Sequence, residues 1–318
     1  MEIGKIQERA SEIKANVNKV IVGKSEIIDL LLTALLTSGH VLLEDVPGTG
    51  KTMLAKALSR SIDAGFKRIQ FTPDLLPSDI TGLNYYNQKL GEFTFRQGPV
   101  FSNILLADEI NRATPRTQSS LLECMEERQI TIDGETRYLD RPFLVIATQN
   151  PVETSGTFPL PEAQLDRFLM QLQIGFPTRD EEFHILCRYT SDNPLEKLQP
   201  VCTKEELLAM QEAVKSVYVH PSLMEYMVEL VNHTRAAEQV VLGVSPRGTL
   251  ALLHASQAFA AIRGQDFVTP EMIKHLVPYI LTHRIILRSS LNKAASSAEL
   301  MKKVLSETCV PTEDFTRR

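Results

Sequence analysis

Short apolar runs alternate with amphipathic helical stretches through the first half of the chain. His40–Glu44, Arg68–Phe71, Ile104–Asp108, Phe143–Thr148 and Phe168–Ile174 have the length and composition of strands, and helical patterns lie between them. A run such as Ile104-Leu105-Leu106-Ala107 is apolar at every position, as a strand buried on both faces must be. Strands separated by helices in this way predict an α/β fold, a five-stranded parallel sheet flanked by helices. Upstream, Ile27–Leu36 is interrupted only by Asp29 and Thr33 and reads as a buried helix.

Two further stretches alternate with period two. Gln129–Leu139 does so around Asp133-Gly134, a dipeptide suited to the positive φ angles of a two-residue hairpin turn. Leu83–Phe95 puts Phe93 and Phe95 on one face, with a turn near Lys89–Gly91.

The second half has helix start signals without strands between them. Thr178 and Glu181 form a capping-box pattern, and Ser245-Pro246 and Thr269-Pro270 each set a capping hydroxyl before a proline suited to the first turn. Gly264 closes the long helix that begins after Ser245. These signals predict an α/β domain over residues 1–177, with hairpin insertions near 83–95 and 129–139, and a smaller all-helical domain over 178–318. The last dozen residues, from about Thr308, read as frayed.

The chemistry concentrates at three strand ends. Asp45-Val46-Pro47-Gly48-Thr49-Gly50-Lys51-Thr52 follows one strand and leads into a helical run, the context a phosphate-binding loop requires. Glycines at 48 and 50 let successive backbone N–H groups turn inward, the helix N-terminus adds partial positive charge, and Lys51 adds a full one. The Thr52 hydroxyl suits a magnesium ion. Asp45 stands where the eight-residue pattern has its first glycine, so the opening of the loop differs from the usual one. About 55 residues on, the strand Ile104–Asp108 ends in Asp108-Glu109. Asp108 suits the magnesium and Glu109 suits a general base that polarises the attacking water. The strand Phe143–Thr148 leads to Asn150, whose amide can position that water or touch the γ-phosphate, or can belong to a simple Asn-Pro turn.

Composition sets bounds on partners and compartment. At 43% hydrophobic and 23% charged, the 318 residues are those of an ordinary globular protein. A net charge of −5 provides no electrostatic footprint for nucleic acid. Met1–Arg9 has no signal-peptide pattern, and no membrane-spanning run of eighteen or so apolar residues occurs. Four scattered cysteines without a CxxC pair fit reduced thiols, so a cytoplasmic location is expected. The seven histidines lack metal-ligand spacing and read as structural, leaving the nucleotide's magnesium as the expected metal.

Together these residues resemble an AAA+ ATPase of the MoxR family over nearly the whole chain. The resemblance rests on Val46–Thr52, Leu106–Arg112, Ala147–Pro151, Glu162–Phe168 and Ser245–Gly248. It implies ATP hydrolysis with Mg2+, with Asn150 as sensor 1 and Arg167 as an arginine finger reaching the γ-phosphate of the adjacent subunit. It also implies Arg247 as sensor 2 on a lid helix, acting on its own or a neighbour's nucleotide. Val20–Lys24 resembles the segment that closes over adenine, or is a helix–loop junction with a core contact. The hairpins match insertions that face the pore or partner surface of a ring. The resemblance further implies a homo-hexamer with chaperone-like work on protein partners, among them proteins with a von Willebrand factor A domain. Alternatives are the motor subunit of a metal chelatase, a nucleic-acid motor and an inactive nucleotide-gated scaffold. Mixed charge on the hairpins disfavours nucleic acid, and retention of Lys51, Asp108, Glu109 and Asn150 disfavours the scaffold.

Overall fold

Alternate residues of the central strands face opposite ways, and the computed structural model sorts them into two apolar cores. It describes residues 1–151, 156–190, 193–288 and 293–316. Helices α1 (Ile3–Asn18) and α2 (Ser25–Leu36) precede β1 (Val41–Glu44), α3 (Lys51–Ser61), β2 (Phe66–Gln70) and the short α4 (Pro77–Thr81). The first hairpin is β3 (Gly82–Asn87) and β4 (Glu92–Gln97). Then come β5 (Ile104–Asp108), α5 (Pro115–Glu127), the second hairpin of β6 (Gln129–Ile132) and β7 (Glu135–Tyr138), β8 (Leu144–Gln149), α6 (Glu162–Leu165) and β9 (Met170–Leu172). The chain continues as α7 (Arg179–Tyr189), α8 (Lys204–Val214), α9 (Pro221–Ala236), β10 (Val240–Leu242), α10 (Pro246–Ile262), α11 (Pro270–Leu281), β11 (Ile286–Leu287) and α12 (Lys293–Glu307).

Five strands form one parallel sheet in the order β2-β5-β8-β1-β9. Val41, Leu43, Ile104, Leu106, Leu144 and Ile146 enter one core, while Leu42, Leu105, Ala107, Val145 and Ala147 enter the other. That strict alternation explains why these runs are apolar throughout: each face of the sheet has its own helical cover. The second core is completed by Ile80, by Leu121, Leu122 and Met125 of α5, and by Ile130 of the second hairpin. The first core runs without a break from α1 and α2 into α8–α12. Helices α8–α12 therefore share buried surface with the amino-terminal pair.

Local signals are read out unevenly. The Thr178 capping box forms, with the Glu181 N–H donating to Thr178 Oγ1 at 3.3 Å and the Glu181 carboxylate accepting from the Thr178 N–H at 2.8 Å. Gly264 takes a φ of 74° just past α10. Ser245 and Thr269 have the extended backbone of an N-cap with proline next, yet neither hydroxyl caps its helix. Ser245 Oγ donates to the Asp166 carboxylate at 3.0 Å, a charge-assisted bond that turns the hydroxyl toward Asp166. The expected fraying after Thr308 also gives way over the described residues. Thr308 is buried and bonds His233 Nδ1 at 2.7 Å, and Phe315 sits edge-on to His220 at 6.1 Å. Residues 317–318 of that stretch lie outside the described residues.

His40 shows why burial matters for pH. Its Nδ1 accepts from the Val145 N–H at 2.9 Å and its Nε2–H faces the Met125 carbonyl at 3.1 Å, so the neutral ring satisfies both partners. Burial, helped by the nearby Arg128 cation, drives its pKa down to about 3. A base with a folded pKa below its unfolded value stabilises the fold above the unfolded pKa, near 6.5, and loses that contribution as pH falls toward 3. Moving from pH 7 to pH 5 is therefore expected to lower unfolding free energy by about 2 kcal/mol through His40 alone. Urea titrations at the two values check this; equal midpoints would mean that the ring protonates in place.

Candidate active site

Strand order does the assembling. With β8 between β5 and β1, the carboxyl edge sets Asp108, the Gln149-Asn150 corner and the start of the glycine loop in a row. This is the edge of a parallel sheet where ligands bind.

The loop is shaped for an anion. Gly48 and Gly50 have φ of 88° and 86°, a left-handed conformation that strains other residues. A Cβ at either would meet nothing within 4 Å, so the demand for glycine is conformational and the concave side is open. Gly50 is the N-cap of α3, which aims its free N–H groups at the same space. Lys51 Nζ donates to the carbonyls of Asp45 and Val46 at 3.0 and 3.2 Å, folding back over the loop. Asp45 behaves differently from the rest of the motif. Its carboxylate is buried and accepts from the N–H groups of Ile174 and Gly175 at 2.6 and 3.0 Å and from that of Val46 at 3.2 Å. The residue replacing the first glycine thus ties the loop to the chain beyond β9, and its charge is spent on backbone.

Both acidic residues at the end of β5 are already clasped. Asp108 accepts from Arg68 at 2.6 Å and from the Thr148 hydroxyl at 2.6 Å. That hydroxyl, fully buried, in turn accepts from the Glu109 N–H at 2.8 Å. Glu109 has a φ of 55°, a strained left-handed conformation for a residue with a side chain, costing on the order of 1–2 kcal/mol. Its carboxylate accepts from Gln70 Nε2 at 2.7 Å and lies 2.8 Å from Arg112 Nε. Gln70, Arg68 and Thr148 were not singled out by sequence. Register brings them in, because Gln70 pairs with Asp108 across the parallel ladder.

Near the sensor position, Glu44 at the end of β1 accepts from Gln149 at 3.0 Å and from Gln171 at 2.6 Å. These three residues and Asn150 line a cavity of about 760 Å3 that reaches to Tyr279 and Thr282. Thr52 and Asp108 supply hydroxyl and carboxylate oxygens, the hard donors that magnesium prefers, and the open loop has the polarity that a triphosphate requires. The residues present fit Mg·ATP.

The arginines form a separate group. Asp166 bonds the buried Arg284 guanidinium at 2.7 Å and receives Ser245 Oγ on its other oxygen. Burial lowers the Arg284 pKa, with the Asp166 carboxylate opposing the shift. Arg167 follows Asp166 in sequence and Arg247 lies two residues after Ser245, so this knot carries both predicted arginines. Arg247 pairs with Glu126 at the end of α5. The Arg167 guanidinium has no hydrogen bond or ion pair among the described residues, and the Asp166 carboxylate beside it is taken by Arg284. Arg284→Ala would leave Asp166 without its main partner and is expected to cost about 3 kcal/mol in urea unfolding. A loss below about 1 kcal/mol would mean that Ser245 and water carry the carboxylate unaided.

Val20–Lys24 closes the picture. Val20 is buried in the first core, and Lys24 Nζ donates to the Phe176 carbonyl at 3.2 Å. Gly23 has a φ of 74°, and a Cβ there would overlap the Glu181 carboxylate, so this segment packs tightly on the start of α7.

Comparison with known proteins agrees with this geometry. The ATPase family associated with various cellular activities (AAA) matches residues 40–170, and the AAA lid domain matches residues 232–304. An uncharacterised Bacillus subtilis protein, YeaC, is 52% identical over 94% of this chain and 93% of its own length. The chaperone MoxR1 of Mycobacterium tuberculosis is 41% identical over 93% of this chain and 80% of its own. A crystal structure from Cytophaga hutchinsonii, described as a candidate ATPase, superposes with a TM-score of 0.89 at 39% identity, covering 97% of this chain and 96% of that one.

Proposed function

The chain belongs to the MoxR family of AAA+ ATPases, and on that premise we propose that it is a ring-forming motor whose ATP hydrolysis remodels protein partners. Hydrolysis itself follows from the family. The proposal concerns which residues perform it and what it drives.

Val46–Thr52 bind the phosphates, with Asp45 fastening the loop from behind. Thr52 and Asp108 hold the magnesium ion, which supplies charge neutralisation on the phosphates when bound. Glu109 takes the proton of the attacking water and Asn150 orients it. Gln70 and Arg112 engage the Glu109 carboxylate, so reaction requires that clasp to loosen. Arg167 and Arg247 act on a neighbour's nucleotide. The observation that carries this reading is Arg167 itself, whose guanidinium has no hydrogen bond or ion pair among the described residues although it follows a fully engaged Asp166–Arg284 pair. The Ser245–Asp166 bond draws Arg247 to the same knot, which supports a trans role for it too.

We assign residues 1–177 to the nucleotide-binding domain and 178–318 to the lid. The continuous core between them implies that the lid moves by sliding helices and not by swinging free. A hexamer acting in the cytoplasm on a partner with a von Willebrand factor A domain completes the proposal. The relative named as a chaperone supports work on proteins. Turnover per subunit measured against protein concentration tests it. A rise of tenfold or more across the assembly range supports a shared active site, whereas a flat rate sinks it.

A further inference from the structure

Helix α7 is built inside out. Its inner face is made by Glu181, Ile185 and Arg188, spaced to share one side of the helix. Glu181 sits 3.8 Å from Lys24, and Arg188 donates to the carbonyls of Asn18 and Ile21 at 2.6 and 3.3 Å. The outer face shows Phe183 and Leu186, 63% and 66% exposed, next to Phe176 at 69%. No residue of the helix is buried. A surface helix in water has the opposite pattern, so this face is shaped for something that covers it.

A second apolar patch lies on the segment that carries Arg247. Val241 and Leu242 of β10 are 63% and 56% exposed, and Leu250 of α10, one turn beyond Arg247, is 55% exposed. The first patch adjoins Val20–Lys24 and the loop fastened by Asp45, which is the nucleotide side of the chain. The second adjoins the Asp166–Arg284 knot, which is the arginine side.

We propose that the two patches are the two halves of one subunit contact: the α7 face of one copy seats against the β10–α10 face of the next. The occupant is a second copy of this chain, and the inference rests on the shared-site reading above. Three observations favour that occupant. Each patch flanks one half of the site that a trans-acting arginine requires. Charge is complementary, since Asp180 and Glu182 are exposed in the first turn of α7 while Arg167 and Arg247 border the other patch. The two surfaces also differ from one another, as a head-to-tail contact that closes a ring demands.

Chains with a single exposed cysteine, Cys124 and Cys202 being buried, test the contact directly. Leu186→Cys and Leu242→Cys are made separately with Cys187→Ser, Cys309→Ser and Glu109→Gln, mixed with Mg·ATP and mildly oxidised. The expected product is a disulfide-linked dimer containing one chain of each kind, with little from either chain alone. Sedimentation of Phe183→Glu and of Leu242→Glu, both at exposed positions, is expected to show an assembly midpoint raised about tenfold or more with ATP binding unchanged. Wild-type assembly with no mixed cross-link and unshifted midpoints would overturn the contact while leaving the ring intact. Wild type that remains monomeric with ATP at every concentration would overturn the ring, and the contact with it.

Discussion

Glu109→Gln is expected to bind ATP as tightly as the unaltered chain and to release phosphate about a thousand-fold more slowly. The substitution is nearly isosteric, so the left-handed backbone, the N–H bond to Thr148 and the packing at the end of β5 persist. What disappears is the ability to accept a proton from water. An amide retains hydrogen bonding toward Gln70 and Arg112 yet has no basic oxygen pair, so orientation survives and proton transfer does not. Single-turnover phosphate release, read beside nucleotide affinity, separates the two. A residual rate within tenfold of normal would remove Glu109 from the water-activating role.

Arg167→Ala should lower turnover by a comparable factor, on the order of a thousand-fold, with little change in fold stability. Charge develops on the γ-phosphate oxygens as they separate from the leaving group, and a planar guanidinium meets it with several aligned donors. Stability should change little because the Arg167 side chain has no hydrogen bond or ion pair to lose among the described residues. This contrasts with its neighbour in space, Arg284, whose loss is expected to be structural. Mixing supplies the decisive arm. Arg167→Ala subunits retain an intact Glu109, and Glu109→Gln subunits retain an intact Arg167, so a mixed assembly contains some complete sites. Recovery of phosphate release on mixing supports action in trans; two inactive chains that remain inactive together would place Arg167 at its own subunit's nucleotide or outside the reaction.

The clasp on Glu109 bears on how such rates are set. Gln70 lies on β2, at the sheet edge, and binds the Glu109 carboxylate, which in the proposed mechanism must face water. The first hairpin follows β2 and α4 along the chain and touches the second through Asn84 and Asp133 at 2.7 Å. On the proposed role of Glu109, a partner engaging the hairpins would have a short covalent and hydrogen-bonded route to that residue, which a double-mutant cycle between Asn84 and Gln70 measures.

Much of this protein was legible along the chain because its determinants are local. Strands buried on both faces must be apolar at every position, so Ile104–Asp108 and Phe143–Thr148 announced themselves to within a residue or two. The glycine loop was legible because positive φ, a helix N-terminus and a lysine belong to eight consecutive residues. The Thr178 cap was legible for the same reason, whereas the hydroxyl of Ser245 was misread because its partner, Asp166, is 79 residues away. Tertiary structure alone decided which groups meet across strands and between halves. The order β2-β5-β8-β1-β9 put Gln70 on Glu109 and Thr148 between two acidic residues, and no periodicity encodes that order. It tied the Asp45 carboxylate to the backbone beyond β9, left Arg167 without a side-chain partner among the described residues, and set the apolar side of α7 outward. Local sequence specifies what each segment can form, because propensity and periodicity act within a few residues. Which side chain finds a partner depends on register and packing across the whole fold, where distance along the chain carries no information.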